Sequence, residues 1–157
     1  MKIGIIVYSR TGNTLSVAEK LKDKLTAAGH SAEIEQVRVA GGRKSGKRSF
    51  QLETRPDVSR YDALVFGSAV EAFSLSPVMK SYLIGIDSLQ GKLVACLVTQ
   101  FFPYPWMGGN RAIRQMHELC ESKGAMICGS AVVNWVKLRR ETTTARAVDG
   151  LSSVFQP

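Results

Sequence analysis

The sequence predicts an α/β domain: a doubly wound parallel sheet of about five strands in three α/β/α layers. Short runs rich in Ile, Val and Leu alternate with segments that place apolar residues at helical spacing. The alternation continues along the chain, which implies right-handed crossovers and helices on both sheet faces. The 157 residues suit a single domain, 1–157, and 45% apolar against 22% charged residues is a globular rather than a disordered composition.

Each element has its own signal. Ile3–Tyr8 is an apolar run of strand length, so it reads as a strand buried on both faces. Thr14–Ala28 carries Leu15, Ala18, Leu21 and Leu25 on one helical stripe and stops at Gly29. Ala32–Val37 is short and alternating, as in a strand nearer the edge. Ala63–Phe66, between Tyr61-Asp62 and Gly67, is a second buried strand. Pro77 opens a helix over Val78–Ile86, where the N–H that proline lacks is not needed. Leu93–Thr99 is a third apolar strand. Asn110 is the expected cap of a helix running through Ser122 and ended by Gly124. Met126–Val133 is the last strand and Thr142–Phe155 the last helix.

The exception is a long irregular connection at about 38–60. Its "AGGRKSGKRS" holds three Gly, two Ser and four basic residues without helical periodicity. From Arg38 through Arg60 there are seven basic residues and two acidic ones, so five of the eight net positive charges lie there. Three readings are open for Arg43, Lys44, Lys47 and Arg48: a solvated excursion, a site for NAD(P)H phosphates or an acidic protein, and a nucleic-acid contact. Nucleic acid is the least favoured, because no aromatics interleave the charges.

Several classes are set aside. Cys96, Cys120 and Cys128 are odd in number and lack C-x-x-C spacing, so they read as small apolar side chains in a reducing compartment, with no zinc site. No stretch approaches a membrane span and no signal peptide is read, so the cytoplasm is the expected location. His30 and His117 have no nucleophile or carboxylate pattern around them, and nothing suggests a hydrolase. Ser9 and Arg10 follow the first strand where a receiver domain needs an acidic pair.

The loop after the first strand carries the functional signal. In a parallel sheet, ligands bind beyond the carboxyl ends of the strands. There, "SRTGNT" supplies the hydroxyls of Ser9, Thr11 and Thr14, the guanidinium of Arg10, the amide of Asn13, and a backbone freed by Gly12. The helix that follows offers unpaired N–H groups and the positive end of its dipole. These are the requirements of a phosphate site. The alternative is a helix capped by Ser9 or Asn13 with no ligand. The loop is neither a P-loop nor the G-x-G-x-x-G fingerprint.

"YSRTGNT" resembles the T/S-x-T-G-N-T loop of flavodoxins and flavodoxin-like proteins, which holds the phosphate of FMN. The resemblance extends over the whole chain. "YDALVFGSAVEAFSLSPVMKSYL" resembles that family's third strand, flavin loop and Pro-led helix, and "GKLVACLVTQFF" its fourth strand and second flavin loop. The resemblance implies the strand order 2-1-3-4-5, which the periodicity alone does not establish. It also implies FMN, with Ser9, Arg10, Thr11, Gly12, Asn13 and Thr14 around the phosphate. Ala69, Val70, Glu71, Ala72 and Phe73 would line the ring from one side. Thr99, Gln100, Phe101 and Phe102 would line it from the other, with Trp106 as a further contact.

An isoalloxazine ring needs apolar faces and backbone groups along its polar edge. "TQFFPYPWMGGN" meets the first need with Phe101, Phe102, Tyr104 and Trp106, stiffened by Pro103 and Pro105, and at least one of Phe101 and Phe102 is expected to fill core. Gly108 and Gly109 would let backbone approach the ring. The other loop departs from the family: Glu71 stands where relatives carry a stacking aromatic, so either Phe73 replaces it or that ring face stays open. Glu71 itself lies near the ring, or points to water or to an arginine. Three functions follow as expectations: electron transfer to a redox partner protein, an NAD(P)H-dependent quinone or flavin reductase (an oxidoreductase enzyme), or a binding module that has lost FMN. No catalytic acid–base pair is expected.

Overall fold

A computed structural model describes residues 1–41, 50–102, 104, 106–136 and 138–155. Ten elements follow one another: β1 (Lys2–Tyr8), α1 (Asn13–Ala27), β2 (Ser31–Gln36), β3 (Ala63–Glu71), β4 (Ser74–Leu75), α2 (Pro77–Ile84), β5 (Leu93–Gln100), α3 (Gly109–Ser122), β6 (Met126–Asn134) and α4 (Arg140–Ser153). Five strands pair in parallel in the order β2-β1-β3-β5-β6, and β4 pairs antiparallel with β3 off that path. Leaving out β4, this is the order 2-1-3-4-5 that the resemblance implies.

The period of the strands divides the core into two layers. On β1, Ile3, Ile5 and Val7 face one way and pack with Val17, Leu21 and Leu25 of α1 and Ala147, Val148 and Leu151 of α4. Ile6 and Tyr8 face the other way, toward Met79, Tyr82 and Leu83 of α2 and Ala112, Met116 and Cys120 of α3. Fully burying one such aliphatic side chain stabilises the fold by roughly 1.5–3 kcal/mol, so the two layers dominate the favourable side of folding. Gly4 has a packing reason: a Cβ there would stand 2.6 Å from the buried ring of Tyr61.

Several expectations are corrected. The third strand runs on from Phe66 to Glu71, because Ala69–Glu71 pairs with β5 and then with β4. The turn joining β3 to β4 has Ala72 at φ 50° and Phe73 at φ 60°. Two central residues at positive φ make a hairpin turn that glycine and asparagine usually supply, so the sequence carries no signal for it. The helix expected to be capped by Asn110 begins two residues earlier, with Gly108 as N-cap at φ 117° and no side-chain cap bond. The last helix starts at Arg140 rather than Thr142. A bulge shifts the β5–β6 register, since Val94 pairs with Ile127 and Ala95 with Gly129. Within the connection at about 38–60, the flanks are ordered: Val39 bridges Leu52 antiparallel, and Thr54 Oγ1 donates to Gln36 O and accepts from Arg38 N. Arg43, Lys44, Lys47 and Arg48 lie outside the described residues.

Candidate functional site

The strands end together at one edge of the sheet, and the loops that leave β1, β3, β5 and β6 converge there. Between them is a cleft of about 550 Å³, counting space open to solvent. Ser9, Arg10, Thr11, Asn13 and Thr14 line it from the first loop, Ala69, Val70 and Glu71 from the second, and Thr99, Gln100 and Phe101 from the third.

The first loop enters α1 through Gly12, which sits at φ 91° with nothing within 4 Å of where a Cβ would project. Ser9 Oγ accepts from Leu15 N at 3.2 Å, and Ser16 N donates to Gly12 O at 3.0 Å. The N-cap is therefore Gly12, with no side-chain cap bond, rather than Ser9 or Asn13, and Ser9 takes one donor only. Among the described residues, the backbone N–H groups of Thr11, Gly12, Asn13 and Thr14 donate to no protein acceptor. No carboxylate lies in the loop, and the exposed Arg10 has no ion-pair partner among the described residues. Orphan donors, a helix dipole and a cation together make a concavity suited to a compact anion. The Thr14 hydroxyl is not part of it: it is buried and bonded to Thr99 Oγ1 at 2.8 Å.

The second and third loops lock onto each other. A Cβ at Gly108 would stand 2.7 Å from Phe73 Cα and 2.8 Å from Val70 Cγ1, so the loop leaving β5 packs on the hairpin only because residue 108 is glycine. Phe73 stacks on Phe102 with ring centres 4.9 Å apart, and Tyr104 on Trp106 at 4.4 Å. Gln100 is the tie: its Nε2 donates to Phe102 O at 2.8 Å and to Tyr104 O at 2.7 Å. Its Oε1 is buried with no partner among the described residues, 2.5 Å from where a Gly109 Cβ would be. Glu71 accepts from the Ser76 hydroxyl, which also caps α2 by accepting from Val78 N, so the carboxylate is anchored at the positive end of that helix.

Neither Phe101 nor Phe102 fills core: they are 63% and 44% exposed. The expectation fails because Gln100, not an aromatic, plugs the space beneath the loop. Phe101 lines the cleft, whereas Phe102 and Phe73 turn to each other beside it. Trp106, 72% exposed, lies outside the lining, as do Ala72 and Gly12.

Tyr8 and Trp135 line the cleft without having been singled out. Trp135 follows the last strand, and its position after β6 at the carboxyl edge is the signal that would have found it. Its N–H donates to Gln100 O at 2.7 Å, its carbonyl accepts from Arg140, and the Arg140 guanidinium stands 4.8 Å from its ring centre.

No protein-family model matches the chain. Protoplast secreted protein 2 of Saccharomyces cerevisiae is 27% identical over 113 residues, which cover 62% of this chain and 56% of that protein. The chain therefore spans about half the length of that relative. Oxidised flavodoxin 2 from Bacillus cereus superposes with a TM-score of 0.74 at 19% identity, over 99% of this chain and 97% of that one. A flavoprotein in complex with FMN from Lactobacillus acidophilus NCFM gives 0.65 at 19% identity, over 93% and 97%.

Proposed function

We propose that this chain, which has the flavodoxin-like fold, binds FMN without a covalent bond and passes electrons or hydride through it. The observation that carries this reading is the set of four backbone N–H groups, Thr11 to Thr14, that find no acceptor in the protein at the start of α1. They and the side chains of Ser9, Arg10, Thr11 and Asn13 would hold the phosphate. Ala69 to Glu71, Thr99 to Phe101 and Trp135 would flank the ring, with Ala72, Phe73, Phe102 and Trp106 at the rim. The flavin supplies the redox chemistry when bound; the chain binds it, orients it and sets the charge around it. The three thiols are free, which fits the cytoplasm.

A reductase with a quinone or NAD(P)H as substrate is the second reading, and one observation favours it. No aromatic of the second loop lines the cleft, because Phe73 is stacked on Phe102. That side is free for a planar substrate, whereas a carrier that only docks on a redox partner needs no such space.

The visible spectrum of the purified protein, before and after FMN is added, tests the cofactor. A bound flavin band supports the reading; a colourless protein that ignores FMN leaves a binding module. Anaerobic mixing of the flavin-loaded protein with NADPH then separates enzyme from carrier. Rapid bleaching indicates a reductase, and no reaction over minutes a carrier.

A further inference from the structure

A second cleft, about 870 Å³ counting space open to solvent, lies beside the first, between β6 and α4. Among the described residues, strand β6 ends the sheet and pairs with β5 alone. Ser130, Ala131, Val132 and Asn134 form the floor of the groove, and Arg139, Thr143 and Arg146 form its wall. Arg139 precedes α4 as its N-cap, and Thr143 and Arg146, three apart, share one side of the helix. Glu141 is two residues from either Arg139 or Thr143 and faces elsewhere. Asp149 is turned toward α1, where it pairs with Lys24. Arg139, Thr143 and Arg146 border the groove beside the last strand of the sheet.

No carboxylate lines this groove. Among the described residues the ion pairs are Lys24–Asp149 and Arg60–Glu33, so neither Arg139 nor Arg146 is neutralised. The Thr143 hydroxyl is committed to Asn134 and the Arg139 carbonyl, which fixes the wall against the strand. Arg139 is held from the other side, its guanidinium 5.5 Å from the ring centre of Tyr104, itself stacked on Trp106. Both arginines line one concave space with no carboxylate in its lining. Guanidinium pairs of this kind suit phosphate or carboxylate oxygens.

We propose that the β6–α4 groove is an anion subsite for a small molecule bearing a phosphate ester or a carboxylate. Gln100 lines both clefts, so a ligand seated there has its other end beside the main cleft. That the main cleft then holds the reacting part of the same molecule rests on the flavin reading; the anion subsite itself does not.

The test uses the full chain, labelled with ¹⁵N, titrated with pyrophosphate and separately with citrate at constant ionic strength. Side-chain Nε–H signals of Arg139 and Arg146 should shift and saturate in the millimolar range. Arg139→Gln and Arg146→Gln should each weaken binding about ten-fold, the usual effect of losing a charged hydrogen bond. Preference for pyrophosphate identifies a phosphate ester, and preference for citrate a carboxylate. Shifts confined to the backbone N–H groups of residues 11–14 would overturn the groove proposal while leaving the flavin reading intact. Saturation at the arginines in a protein that ignores FMN would do the reverse. Equal affinity in the double variant, or binding of a hexaglutamate peptide but of neither small anion, would also overturn it. Both arginines are exposed, and matching thermal melts of the variants would show that the fold is unchanged.

Discussion

The hydroxyls of Thr14 and Thr99 meet at 2.8 Å in a buried contact, joining the first turn of α1 to the end of β5. Each is the other's only side-chain partner among the described residues. Thr99→Val should cost about 1–3 kcal/mol, because it strands the buried Thr14 hydroxyl. Replacing both by valine should cost less than the sum of the single changes, since no polar atom is then left unpaired. Thermal denaturation of the four proteins in the cycle checks this, and strict additivity would contradict it.

The β3–β4 turn stores strain. Ala72 is at φ 50° without being glycine, asparagine or aspartate. Ala72→Gly should raise stability by about 1 kcal/mol, because the left-handed conformation penalises a Cβ by that order. A fall in melting temperature on this change would show that the turn is not strained at Ala72.

How much of this was legible in the sequence depends on the kind of contact involved. The five parallel strands, four helices and first loop could be read because apolar periodicity and glycine placement mark them locally. The hairpin Glu71–Ser74 could not, because Ala72 and Phe73 sit at positive φ without the glycine or asparagine that usually marks such a turn. The fate of Phe101 and Phe102 was hidden for a different reason: whether an aromatic fills core depends on what else fills it, and here the Gln100 amide does. Trp135 joins the cleft through a strand distant in sequence, and its register is altered by a bulge that no pattern announces.

Glu71 lines the proposed flavin cleft, with its carboxylate fixed by Ser76. A carboxylate about 6 Å from a negatively charged ring repels it by roughly 3 kcal/mol at an effective dielectric of about 20. For one electron that is on the order of 100 mV. Glu71→Gln should therefore raise the midpoint potential of the bound flavin, by less than this limit because the α2 dipole already offsets part of the charge. An unchanged or lower potential in a redox titration would rule out a tuning role.

Away from the cleft, Tyr61 donates to Glu33 at 3.1 Å and also to Glu35. This bond, with the nearby Arg60 and Lys2 charges, holds the Glu33 carboxyl below its ordinary pKa. A carboxyl lowered in the folded state binds protons more tightly when unfolded. Its contribution is present above the unfolded value, about 4.3, and is lost as pH falls through the lower folded value. The stability gap between the native protein and Tyr61→Phe should accordingly be full at neutral pH and narrow as pH falls below the unfolded value. Denaturant melts across that range check the sign, and a gap that widens on acidification would contradict it.

The central claim is that orphan N–H groups at the start of α1 hold a phosphate. Titrating the protein with FMN and with riboflavin, followed by flavin fluorescence, tests it most directly, since the two ligands share the ring and differ in the phosphate. The account predicts that FMN binds about 100-fold more tightly or better, the worth of two or three charged hydrogen bonds. Equal affinity for the two, or binding of neither, would contradict it.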